Sequence, residues 1–161
     1  METLPDFWRT TTFHPLSVHF PIVLLLFAFL FKSISLFSTK ETFKLGGSIL
    51  LIAGTISAWI AIYTGNLADG IVSRKLCDPT VLKDHENFAF TTAWLFTAAS
   101  VIDLFIHFKV LASLKKWINY LLILLLLGGT SCLFYVGHLG ATLVYQQAAG
   151  VYTPSEHCEE F

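Results

Sequence analysis

Four histidines, His14, His19, His85 and His138, carry most of the chemistry that this sequence could perform. Imidazole side chains bind haem iron, zinc and copper, and they also take part in hydrogen bonds. Each of the four lies near the start or the end of a long apolar run. His138 lies within its run, where an unpaired imidazole is costly. For His85, a role as a ligand and an ordinary place at a solvated helix start both stay open.

The first two histidines flank the entry to the first apolar run, in the stretch TTFHPLSVHFPIVLLLF. Pro15 suits the first turn of a helix, because its missing N–H would be unpaired there in any case. Pro21 removes the donor that would bond Ser17, so we expect the first turns to bend and to aim His19 into the bundle. For His14, a role as a ligand and a role at the helix boundary both stay open.

The elements that must position these residues are four apolar runs. The chain has 161 residues, of which 55% are apolar, and a mean hydropathy of +0.67. Such a composition is typical of an integral membrane protein, in which a spanning helix needs about 20 residues. The apolar runs cover residues 16–36, 45–68, 88–108 and 117–145. We expect an all-α fold, with a single domain that forms an up-and-down four-helix bundle.

The charges of the connecting segments predict how the bundle is oriented. The segments after the first and third runs are rich in lysine and hold one acidic residue, Glu41. Their basic residues are Lys32, Lys40, Lys44, Lys109, Lys115 and Lys116. Basic loops stay in the cytoplasm, so both termini are expected on the outer face of the membrane. The net charge of −1 and the absence of a basic cluster argue against a nucleic-acid partner.

An up-and-down bundle brings His14, His19, His85 and His138 to the same, outward end. His107 lies at the other end, one helical turn after Asp103, so we expect these two side chains to pair. Next to His138, glycines would let a helix or a flat group come close to the backbone.

Polar residues at the outward end could orient the histidines from behind, or could simply cap helices. These residues are Asn66, Asp69, Asp84 and Glu86. Asp84 is expected to cap the third helix, with Glu86 near the positive end of its dipole.

Two of the three cysteines, Cys77 and Cys158, fall on the outward side of the predicted topology. A disulfide between them is an expectation for an oxidising periplasm, and it would tie the C-terminal tail over the histidines. The sequence has no C-x-x-C-H, H-E-x-x-H or zinc-finger spacing, so the usual catalytic and metal signatures are absent.

Four motifs together resemble a bacterial membrane family, domain of unknown function 2231. They are HPLSVHFPIVLLL, TGNLADG, HENF and GHLGATLVYQQAAGV, and they extend over nearly the whole chain. The resemblance implies the bacterial inner membrane. Relatives occur beside or fused to Rieske and cytochrome c modules, which implies membrane redox chemistry with such a periplasmic partner. Some relatives carry a histidine where this chain has Gln146 and Gln147.

The first functional hypothesis is a b-type haem near the outer face, held by His19 with His85 or by His19 with His138. The protein would then carry electrons between the quinone pool and a periplasmic carrier, with Trp94 and Tyr135 shielding the haem. The second hypothesis is a zinc or copper site on the same histidines, with Asp69, Asp84 or Glu86 as an oxygen ligand. The third is a subunit without a cofactor that docks a partner protein. A transporter is disfavoured because Asp103 is the one ionisable residue besides histidine expected inside a span.

Overall fold

The computed structural model describes residues 10–110 and 114–151, and the regular structure in these ranges is helical throughout. The α-helices are α1 (Thr10–Ser17), α2 (His19–Ser35), α3 (Glu41–Val72), α4 (Pro79–His107) and α5 (Lys115–Gln147), with a 3-10 turn at Ser73–Lys75. Four apolar segments are long enough to cross a membrane: Thr10–Ser35, Glu41–Lys75, Pro79–His107 and Lys116–Gln147. The expected all-α four-helix membrane bundle is confirmed.

The first span is divided at Val18 into α1 and α2. Pro21 lies in the first turn of α2 and cannot donate to the Ser17 carbonyl, which accounts for the interruption, although Val18 keeps helical φ and ψ of −65° and −21°. Pro15 lies inside α1, because the helix begins at Thr10. The expectation that Pro15 occupies a first helical turn is therefore wrong.

The fourth α-helix, α4, begins at Pro79, well before the apolar run that predicted it. The Asp78 carboxylate accepts hydrogen bonds from the Thr80 backbone N–H at 2.9 Å and from its hydroxyl at 2.6 Å. Asp78 is thus the N-cap, and Pro79 fits the position after it because that N–H needs no partner. The expectation that Asp84 caps this helix is wrong, since Asp84 lies within α4 and is exposed.

The core lies where two helical hairpins meet, α2 with α3 and α4 with α5. Its fully buried large side chains are Leu25, Leu51, Phe96 and Leu126. Lipid tails are as apolar as these side chains, so close van der Waals packing rather than escape from water holds the helices together. Glycines permit this packing: a Cβ at Gly54 would lie 2.6 Å from Leu25 Cδ2, and one at Gly129 would lie 3.0 Å from the Phe96 ring.

A buried ion pair lies at the end of the bundle opposite the histidines. Lys32 Nζ lies 2.5 Å from Asp103 Oδ1, and Lys32 also donates to Ser48 Oγ at 2.7 Å. The expected pairing of Asp103 with His107 is wrong: His107 is exposed and contacts the ring of Phe108. Lys32 was expected in the segment after the first run, but it lies within α2. Its long side chain reaches into the helix interface rather than toward the membrane boundary.

Candidate functional site

Two imidazoles meet at one end of the bundle, which we call the histidine end. His14 of α1 and His85 of α4 have ring centroids 6.1 Å apart and ring planes at 89° to each other. Both rings are half-buried, so the pair is enclosed by helices but keeps an accessible side. The opposite end, where Lys32 pairs with Asp103, we call the ion-pair end.

Each imidazole is held by a backbone carbonyl of the neighbouring helix in its hairpin. His14 Nδ1 lies 2.9 Å from the Ala61 carbonyl oxygen, and His85 Nδ1 lies 3.1 Å from the Val136 carbonyl oxygen. A carbonyl can only accept, so Nδ1 must carry the proton in both rings. In a neutral imidazole the other nitrogen, Nε2, then keeps its lone pair and can act as a ligand.

Glycines give these rings room against α3 and α5. A Cβ at Gly65 would lie 3.1 Å from His14 Cε1, and a Cβ at Gly140 would lie 3.3 Å from His85 Cε1. In both helices the glycine comes four residues after the carbonyl that binds the imidazole. One helical turn thus supplies both the hydrogen-bond acceptor and the space, which fixes the position of the ring.

Two hydroxyl groups fix the position of His14 further. Ser17 Oγ lies 3.0 Å from the His14 carbonyl oxygen, and Thr64 Oγ1 lies 2.9 Å from the same Ala61 carbonyl that binds His14. The two hydroxyl oxygens are 2.8 Å apart, so one hydroxyl donates to the other and the second donates to its carbonyl. Ser17 and Thr64 also line a cleft of about 490 Å³ between the first span and α3, with mostly apolar walls. The helix that carries His14 is therefore joined to α3 by side chains as well as by packing.

The other two predicted ligands do not join this pair. His19 is exposed, so the expectation that Pro21 aims it into the bundle is wrong. The reason is rotation: His14 and His19 are five residues apart and face different sides of the first span. His138 is exposed on α5 and stacks on Tyr135, with ring centroids 6.5 Å apart. The structure brings together His14 and His85, a combination that the sequence reasoning did not prefer.

Within the described residues, the polar side chains expected behind the histidines form no hydrogen bond with the rings of His14 or His85. Asn66 and Asp84 are exposed, and the Asp69 carbonyl accepts a hydrogen bond from Ser73 Oγ at 2.7 Å. The Glu86 carboxylate forms an ion pair with Lys83 Nζ at 3.1 Å. Main-chain carbonyls therefore do the orienting that was expected of side chains.

Of the two aromatic residues expected to shield a haem, Tyr135 lies near the histidine end and Trp94 lies further along the bundle. Tyr135 packs against Phe88 with ring centroids 4.6 Å apart, and Phe88 lies one turn from His85 in α4. Trp94 packs against Trp59 further along the bundle, at 5.1 Å. Cys77 is exposed, while Cys158 lies outside the described residues, so their pairing stays a prediction.

The number of converging ligands limits which metals this part of the chain could hold. Within residues 10–110 and 114–151, no three or more His, Cys, Asp or Glu side chains form a group that could hold a metal ion. Structural zinc takes four protein ligands and catalytic zinc takes three. The two converging imidazoles are fewer than the protein ligands that either kind of zinc site uses.

Comparison with known proteins gives one match. Residues 10–153 match the sequence model of a family described as predicted membrane protein (DUF2231). Neither the curated proteins nor the solved structures contain a match.

Proposed function

We propose, from the premise that this chain belongs to the DUF2231 family of predicted membrane proteins, that it is a membrane redox protein in which His14 and His85 hold a b-type haem. The observation that carries the proposal is the convergence of two imidazoles from different hairpins, each with Nδ1 bound to a carbonyl and with no hydrogen bond at Nε2 within the described residues. Haem brings four nitrogen ligands, so two histidines complete its coordination.

The chain's own residues would hold and tune such a group. The Ala61 and Val136 carbonyls fix the tautomer and raise the basicity of Nε2 in each ring. Gly65 and Gly140 let the rings lie against the helices, so that little freedom is lost on binding. The haem would supply a one-electron couple near the membrane boundary, between the quinone pool and a periplasmic carrier such as a cytochrome c or a Rieske-type protein.

The proposal includes an orientation in the bacterial inner membrane, with the histidine end and both termini facing the periplasm. Lys40, Lys44, Lys109 and Lys116 belong to the segments at the ion-pair end, and cytoplasmic loops carry such an excess of lysine. A reporter that fluoresces only in the cytoplasm should be dark when fused to the C-terminus. A bright C-terminal fusion would reverse the orientation and place the histidines on the cytoplasmic side.

Absorbance spectra of the detergent-purified protein test the haem, with histidines of the same chain as matched controls. The oxidised protein should show a Soret band, and the dithionite-reduced protein should show a sharp α band. Both bands should be lost in His14→Ala and in His85→Ala. They should persist in His19→Ala and His138→Ala, because these two side chains are exposed and lie outside the pair. A folded protein that stays colourless when cells are supplied with a haem precursor would overturn the proposal.

A second function rests on the same two hydrogen bonds. Because each imidazole already bonds a carbonyl of its neighbouring helix, the pair could serve to join helices in a subunit without a cofactor that docks a partner protein. In that case His14→Ala and His85→Ala should lower the melting temperature of a colourless protein. Metal analysis of the same samples shows whether the pair binds zinc or copper instead, which would distinguish a metal site from both the haem protein and the subunit without a cofactor.

A further inference from the structure

We propose that this chain is an internal duplication of a two-helix unit, and that the His14–His85 pair and the Lys32–Asp103 ion pair lie on the pseudo-twofold axis that relates the units. The first unit covers residues 10–72 and the second covers residues 79–147. The duplication rests on sequence spacing, burial and contacts, without reference to a ligand. The inference that a ligand lies on the axis rests on the proposed function.

The first helices of the two units superpose in sequence when His14 is aligned with His85. The same alignment, without a gap, places Lys32 on Asp103. It also matches burial along the helices. The buried residues of α2 are Pro21, Leu25, Ala28 and Lys32, and their equivalents Thr92, Phe96, Ala99 and Asp103 are all buried in α4. A shared buried face over about three turns indicates that α2 and α4 occupy equivalent places.

The second helices correspond when Gly54 is aligned with Gly129. Both contain the pattern L-L-x-x-G-T, at Leu50–Thr55 and at Leu125–Thr130, followed ten residues later by Gly65 and Gly140. Of the seven buried residues of α3, five have a buried equivalent in α5. Compared with the alignment of the first helices, this one is shifted by four positions, so the segment between the helices is longer by that amount in the second unit.

Two contacts inside the first unit have counterparts at the equivalent positions of the second. In the first unit His14 bonds the Ala61 carbonyl, and in the second His85 bonds the equivalent carbonyl of Val136. Deeper in the membrane, Gly54 packs against Leu25, and the equivalent Gly129 packs against Phe96. Each hairpin is therefore built on the same plan, despite few identical residues.

Two of the contacts between the units join equivalent positions. His14 faces His85, and Lys32 pairs with Asp103, so at both ends of the bundle a position meets its own counterpart. Self-contact of this kind defines a twofold axis. In both units the first helix runs from the histidine end to the ion-pair end, so the axis runs along the bundle.

A buried hydroxyl marks a difference between the two units. Within the described residues, Thr130 Oγ1 is buried without a hydrogen-bond partner. Its equivalent, Thr55, lies 2.9 Å from Ser100 Oγ across the interface between the units and also donates to the Leu51 carbonyl of its own helix at 2.8 Å. The residue equivalent to Ser100 is Phe29, which has no hydroxyl. The contact between Thr55 and Ser100 therefore has no counterpart at Thr130.

Two consequences follow for function. A ligand of the histidine pair contacts two equivalent imidazoles, one from each unit, so His14→Ala and His85→Ala should weaken its binding to a similar extent. At the ion-pair end, two identical units would place like charges face to face in a buried site, which is unfavourable. Lys32 and Asp103 make the units complementary, so the first unit pairs with the second rather than with a copy of itself.

A double-mutant cycle tests the duplication without reference to any cofactor. Phe29→Ser should restore the missing partner of Thr130, so it should melt about 2 to 4 °C above Phe29→Ala, as expected for one hydrogen bond in a chain of this size. The difference should vanish in a Thr130→Val background. Ser100→Ala and Thr55→Val provide the matching cycle for the pair that already exists. Equal melting of the two Phe29 variants in both backgrounds would overturn the inference.

A charge exchange covers the case in which neither Phe29 variant folds. If the positions are equivalent, the double variant K32D/D103K should melt above both single variants. Recovery should be partial, because Ser48, which binds Lys32, corresponds to Ile123. No recovery would contradict the equivalence. If the unaltered protein shows no haem bands while the coupling between positions 29 and 130 is observed, only the proposed function is overturned.

Discussion

Lys32 and Asp103 form an ion pair of 2.5 Å whose residues are 6% and 3% exposed. Lys32 follows His14 along the first span at the same spacing at which Asp103 follows His85 along α4. At a helical rise of about 1.5 Å per residue this spacing corresponds to about 27 Å, close to the roughly 30 Å of a bilayer's hydrocarbon. The two polar pairs thus lie near the two boundaries of the apolar layer, and the core between them is Leu25, Leu51, Phe96 and Leu126.

The ion pair should contribute strongly to stability only as a pair. Asp103→Ala leaves a buried lysine without its counter-ion and should lower the free energy of unfolding by about 3 to 5 kcal/mol. The double variant Lys32→Met with Asp103→Leu should recover most of that loss, because it removes both charges. Denaturant unfolding in detergent measures both effects. His107→Ala is the control and should change little, since His107 is exposed; a loss as large as that of Asp103→Ala would contradict this assignment.

The glycines beside the imidazoles should control the site more than the overall fold. Alanine at Gly65 would place a Cβ 3.1 Å from His14, and alanine at Gly140 would place one 3.3 Å from His85, so each ring must shift. We expect weaker or displaced haem bands in both variants. Gly137→Ala is the matched control on α5, because nothing lies within 4 Å of its Cβ position. Unchanged spectra in all three variants would show that the rings do not hold the chromophore.

The contact between Gly54 and Leu25 should be sensitive to a single methyl group. A Cβ at position 54 would lie 2.6 Å from Leu25 Cδ2 in a fully buried part of the core, so Gly54→Ala should cost about 1 to 3 kcal/mol. Gly128→Ala has open space and should be neutral or slightly stabilising, because alanine favours helices. Thermal unfolding of the two variants compares them directly. If Leu25→Ala fails to relieve the effect of Gly54→Ala, the contact is not its cause.

The N-terminus of α4 should loosen in acid. Hydrogen bonds from the Thr80 hydroxyl and then from its backbone N–H hold the pKa of Asp78 below its ordinary value of 3.8. A lowered carboxyl pKa gives stability that is complete above 3.8 and is lost as the pH falls through the folded-state pKa. Amide exchange at Thr80 should therefore speed up below that range, beyond the intrinsic effect of pH. Asp78→Asn should remove this extra pH dependence, because an amide oxygen caps the helix without titrating.

The local features that the sequence predicted are those that act within one segment. Long apolar runs predicted the spans because a helix in hydrocarbon must satisfy its own backbone. Pro21 predicted the break of the first span between α1 and α2. The alternation of the spans also predicted that His14 and His85 lie at the same end.

What the sequence did not indicate is which face of each helix turns inward. A membrane helix is apolar all round, so no polar side marks its outer face, and its rotation is set by the neighbouring helices. For this reason His19 was expected inside and is exposed, and Asp103 was assigned to His107 rather than to Lys32. A signal was present, since His14 and Lys32 have the same spacing as His85 and Asp103.

By itself, then, the sequence determined the membrane class, the number of spans, the interruption of the first span near Pro21 and the end at which His14 and His85 lie, because chain length, hydropathy and backbone chemistry are local. Tertiary structure alone decided the His14–His85 contact and the Lys32–Asp103 ion pair. These depend on how helices distant in sequence rotate and dock, and the close fit of glycines against Leu25, Phe96, His14 and His85 fixes that arrangement.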